Sequence, residues 1–90
     1  MNIVHLDDWV VEIRREVALL AGTPFTDDTG GEWITCRLFT GPDAKLNAMR
    51  LVARMRNYMG HSVQARSGAM IRQDRIDRGW SDPNKPAPLL

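Results

Sequence analysis

The chain has 90 residues, 43% of them hydrophobic and 26% charged, with a formal net charge of +1, which points to one small domain with a real core and excludes disordered, collagen-like and coiled-coil classes. No apolar run approaches the roughly 18 residues that span a bilayer, and residues 1–8 lack the basic stretch of a secretory signal. A lone cysteine, Cys36, has no partner for an internal disulfide, so a soluble, cytoplasmic protein is expected.

The first predicted element is an amphipathic helix over residues 7–21. Asp7 suits the N-cap, Asp8 adds negative charge to the first turn, and Leu6 and Val11 stand at the two positions of a hydrophobic staple. At 100° per residue Trp9, Val10, Ile13, Val17, Leu20 and Ala21 share one arc, with Glu12, Arg15 and Glu16 opposite, and Gly22 ends the pattern. The cluster Asp27-Asp28-Thr29-Gly30-Gly31 then reads as a hairpin turn. A metal loop through Asp27, Asp28 and Glu32 is the rival, but the alternating ligands of a calcium loop are missing.

Residues 32–39 alternate with period two and are rich in aromatic and β-branched types, which predicts a strand. Its expected core face is Ile34, Cys36 and Leu38, leaving Trp33, Thr35, Arg37 and Phe39 on the other. Trp33 and Phe39 are expected to be capped by another element rather than to floor a binding surface. Thr40-Gly41-Pro42-Asp43 then carries the signals of a helix start with Thr40 as N-cap, and Gly60 is the next stop.

On that long helix Ala44, Ala48, Leu51, Val52, Met55, Tyr58 and Met59 form the expected core arc. Asn47, Arg50, Arg54 and Asn57 make a polar ridge opposite, while Lys45 and Arg56 lie on the other flank. Between these sectors Leu46, Met49 and Ala53 form a second apolar strip that a helix packed on one side does not need. Methionine and leucine beside arginine match the make-up of a protein interface.

After Gly60, alternation through Val63, Ala65, Ser67, Ala69 and Ile71 predicts one long strand to Arg72, bent near Gly68, with a Ser-Gly hairpin as the rival. A helix from Ser67 is disfavoured because it scatters Met70, Ile71 and Ile76. If the two strands pair side by side, the helix between them makes a β-α-β crossover or an α+β arrangement with a hairpin. Residues 80–90, with prolines 83, 86 and 88, read as a tail beyond a compact domain of residues 1–79. Altogether the chain is expected to be a small two-layer α+β domain: an N-terminal helix, a short hairpin, a long central helix, then C-terminal strand and irregular tail.

Charge is unevenly spread along this plan. Residues 1–40 hold seven acidic and three basic groups, whereas residues 41–90 hold nine basic and four acidic ones. Ten of the twelve cations are arginine, the side chain suited to bidentate contact with carboxylate or phosphate. A GC-rich genome gives the same bias without any function.

No motif of catalysis or metal binding stands out. His5 and His61 sit at element ends, Cys36 points with the core, and Ser62, Ser67 and Ser81 lie in no nucleophile elbow. No enzyme, cofactor or metal is therefore expected. Two binding readings remain. The preferred one is a non-enzymatic protein-interaction module: an adaptor, an assembly subunit, or a phage or mobile-element inhibitor of a host complex. Its surface comprises Leu46, Asn47, Met49, Arg50, Ala53, Arg54, Asn57, Arg66 and Arg72, facing an acidic protein or a second copy of the chain. The alternative is nucleic acid on the same basic surface, against which stand a pI near 8.0 and the lack of a base-reading motif.

Overall fold

The computed structural model describes residues 5–21 and 32–79. These residues form strand β1 (Trp9–Arg14), helix α1 (Arg15–Ala21), strand β2 (Trp33–Phe39), helix α2 (Ala44–Met59), a 3-10 turn (Gly60–Ser62), strand β3 (Val63–Ser67) and helix α3 (Gly68–Asp77). The α+β class holds. The predicted turn at residues 27–31 and the tail from residue 80 lie outside the described residues.

β1 corrects the first predicted helix, whose N-terminal half is a strand. It occupies the middle of a sheet ordered β2-β1-β3 and pairs antiparallel on both sides. A central strand covered on both faces requires a nearly unbroken apolar, β-branched run, and Trp9-Val10-Val11-Glu12-Ile13 supplies one. Val10, Val11 and Ile13 are fully buried. Such a run also satisfies a helical wheel, because it offers an apolar residue at every angle. Asp7 caps nothing; instead Asp8 is buried, its Oδ2 accepting from the His5 backbone N–H at 3.1 Å.

β2 and β3 do not pair with each other. Both flank β1, so they run parallel with one strand between them, and α2 connects them as a split β-α-β unit. α2 packs on one face of the sheet: Ala48, Val52 and Met55 meet Val11 and Ile13 of β1, Ile34 of β2 and Val63 of β3, with Ala18 of α1 closing the cluster. Burying each of these branched side chains stabilises the fold by roughly 1.5–3 kcal/mol before entropy is counted. Tyr58, expected in the core arc, is 72% exposed.

The helix begins later than its predicted cap at Thr40. Gly41 takes φ +88°, its carbonyl accepts from the Ala44 N–H at 3.2 Å, and the first helical residue is Ala44. Its far end is where glycine was expected to stop it: Gly60 has φ 59° and ψ −130°, and its N–H donates to the Arg56 carbonyl.

The predicted strand over residues 63–72 is broken at Gly68 into β3 and α3. Ser67 is the reason, since its Oγ accepts from the Met70 N–H at 3.1 Å and caps a helix. The scatter that argued against a helix is real but tolerated: Gly68 and Ile71 are buried, and Met70 and Ile76 face solvent. Gly68 and Ala69 also donate to the carbonyls of Asp8 and Leu6, which ties the start of α3 to the segment entering β1.

Candidate functional site

A β-bulge decides where the surface groups of β2 point. Val11 pairs with Arg37 and Glu12 with Thr35, so Cys36 is an extra residue on β2. The bulge resets the alternation. Ile34 keeps to the core face, but beyond the bulge Phe39 pairs with Trp9 and packs on the core, while Leu38 pairs with Val10, which is not part of the α2-facing core cluster. The expected trio Ile34, Cys36 and Leu38 is therefore split, and Arg37 and Phe39 arrive on the α2 side.

That side holds a groove of about 580 Å³, walled by Arg37 and Phe39 of β2 and by Asn47, Arg50, Leu51, Ala53 and Arg54 of α2. No residue of β1 or β3 lines it, so it opens at the β2 edge of the sheet. Its lining has three arginines and no acid. The Arg37 guanidinium lies 5.4 Å from the centre of the Phe39 ring, a cation–π geometry that keeps it over the groove. Arg37 and Phe39 were not expected at this site, because strict alternation cannot show a bulge.

The other surface residues named from sequence fall in three places. Leu46 and Met49 are 48% and 42% exposed on the outer side of α2, and Asn57 is exposed on the same helix. Arg66, by contrast, is corrected out of any free basic surface. Its side chain lies on the opposite face of the sheet, where Nε and Nη2 donate to the two carboxylate oxygens of Glu12 at 2.6 and 2.8 Å. Gln64 adds a bond to the same carboxylate at 3.0 Å, and Asp74 of α3 stands 3.6 Å from Nη1. Burial works to lower the Arg66 pKa, but the hydrogen bonds and charge of Glu12, then Asp74, raise it above its ordinary value, so the group stays charged. Arg72 is half-buried on α3 and engaged elsewhere, so the structure does not bring it to the groove.

The arginines divide cleanly. Arg14 pairs with Glu32 and lies over the Trp33 ring, Arg66 with Glu12, and Arg78 with Asp74. Arg15, Arg72 and Arg75 also have partners, and Arg37 has the Phe39 ring. Among the described residues, the arginines left without one are Arg50, Arg54 and Arg56, all on α2 and all exposed.

Among the described residues no group of three potential metal ligands converges, and no buried side-chain polar atom lacks a partner. Burial raises the Cys36 thiol pKa against the opposing pull of a backbone hydrogen bond and of Arg37, which keeps it in its unreactive form. No helix among the described residues is long and apolar enough to cross a membrane. No protein-family model, curated protein or solved structure matches the chain.

Proposed function

We propose that this protein is a non-enzymatic interaction module that grips an acidic protein with the outer side of α2 and the groove beside β2. It suits an adaptor, an assembly subunit or an inhibitor of a larger complex, working in the reducing cytoplasm where the single thiol stays free. One observation carries the reading: among the described residues, the arginines without an internal partner are gathered on α2, two of them lining a groove that contains no acid. Isolated exposed arginines add little to the stability of a fold. Three on one helix around exposed Leu46 and Met49 instead provide the mixture of cation and apolar surface that protein interfaces favour.

The test is capture from a lysate, with and without nuclease treatment, on the wild-type chain and on an Arg37→Glu/Arg50→Glu/Arg54→Glu variant. Binding is then rebuilt from the two purified proteins. A partner that binds the wild type in purified form and ignores the triple variant upholds the reading. Loss of all captured material on nuclease treatment, with duplex DNA or RNA bound in its place, replaces it by nucleic-acid binding, and binding indifferent to the three charges refutes both.

A further inference from the structure

Resting on that interaction reading, we infer that the partner element is an acidic amphipathic helix lying along the outer face of α2. Leu46, Met49 and Ala53 are spaced by three and four residues, which is the spacing of a helix-packing seam. All three are exposed although the opposite side of the same helix is buried on the sheet. Cations border this seam on both sides: Arg50 and Arg54 on the groove flank and Arg56 on the other, where Lys45 is drawn toward the sheet with its ammonium 5.6 Å from the centre of the Trp9 ring. α2 contains no acidic residue at all.

An apolar line between two cationic borders has a natural complement in a helix whose own apolar line is bordered by aspartate and glutamate. Other occupants fit less well. A second copy of α2 brings the same four cations against these four and repels. A phosphate backbone answers the arginines but leaves the apolar seam facing water or sugar. An added β-strand needs a smooth edge, and β2 carries beside the groove both a bulge at Cys36 and an exposed Arg37, the two features that blunt strand pairing.

The experiment is a selection of displayed 25-residue random peptides on the full chain, followed by affinity and circular-dichroism measurements on the synthesised winners. Expected winners carry apolar residues at three-and-four spacing with Asp or Glu on both sides, and gain helix signal when mixed with the protein. Their affinity falls by at least about tenfold on Arg50→Glu/Arg54→Glu and returns when the peptide's acids are changed to lysine. Both arginines are exposed and unpaired, so this variant keeps its melting temperature; Met49→Asp tests the seam separately.

Winners that bind in extended form, or that lack acidic flanks yet still depend on Arg50 and Arg54, overturn the helical partner while leaving the interaction module standing. An absence of winners, or winners indifferent to both variants, overturns this inference. A duplex DNA probe that displaces the winners and binds more tightly overturns it in favour of nucleic acid.

Discussion

Arg66→Ala separates the structural arginines from the exposed ones. In the native fold the Glu12 side chain is 5% exposed and takes two hydrogen bonds from Arg66 and one from Gln64. Alanine removes the two charged donors and strands a carboxylate in the middle of the sheet with one neutral donor. Removing one partner of a buried pair costs about 3–5 kcal/mol. The lower end applies because Arg66 itself is 27% exposed and Gln64 remains, so the expected loss is about 3 kcal/mol. For a domain of this size each kcal/mol lowers the melting temperature by roughly 4–8 °C, giving a drop of about 12–24 °C. Thermal and urea unfolding of Arg66→Ala and Arg54→Ala measure the contrast, since Arg54 has no internal partner and its loss is expected to stay within about 0.5 kcal/mol. A Glu12→Leu/Arg66→Met double variant should recover most of the loss, because replacing a whole buried pair by apolar groups removes the stranded charge. If Arg66→Ala unfolds within about 0.5 kcal/mol of wild type, the Glu12–Arg66 pair does not hold the sheet together.

Three further outcomes follow from single side chains. Ser67→Ala removes the cap of α3 and should cost about 1 kcal/mol, with the Met70 amide losing protection from hydrogen exchange first. Gly60→Ala meets no atom within 4 Å, so its whole cost is the backbone at φ 59° and ψ −130°, about 2 kcal/mol of unfolding free energy measured in urea, and a neutral result removes that explanation of how α2 ends. For Cys36 the folded pKa is raised, so its contribution is whole below the ordinary thiol value near about 8.5 and is lost as pH climbs through the raised one. Wild type should therefore lose stability above that pH more steeply than Cys36→Ala, and identical slopes would contradict the burial assigned to the thiol.

What the sequence showed and what it hid follow from local signals. The central helix, its stop at Gly60 and the exposed Arg50 and Arg54 were readable because one apolar arc at 3.6-residue spacing admits few other solutions. The first strand was not, because Val10-Val11-Glu12-Ile13 is buried on both faces and carries no alternation to count; Glu12 looks like a solvent-side residue until Arg66, fifty-four positions away, is known to meet it. Ser67-Gly68 held a cap and a break together, and a cap is worth less in a pattern count than the alternating residues on either side of it. The groove depends on the bulge at Cys36, a single extra residue whose position is fixed by pairing with β1 rather than by anything in β2 itself.

The charge imbalance between the two halves of the chain is resolved by the fold in a way that locates the surplus. Glu12 and Glu32 of the acidic half are taken up by Arg66 and Arg14, and Asp74 is shared by Arg66 and Arg78. These pairs join β1 to β3, β1 to the start of β2, and α3 to β3, while Arg78–Asp74 closes a pair four residues apart at the end of α3. None of these pairs reaches α2, whose own sixteen residues include four cations and no anion. A net charge of +1 thus hides a helix of local charge +4 standing on the outside of the domain. At physiological salt the Debye length is about 8 Å, and the helix body and the sheet stand between the outer side of α2 and the Glu12–Arg66 pair, so a partner on that side senses the balanced pairs weakly. Recognition here should weaken with added salt in proportion to contacts along α2, and variants of the Glu12–Arg66 pair that still fold should leave that salt dependence unchanged.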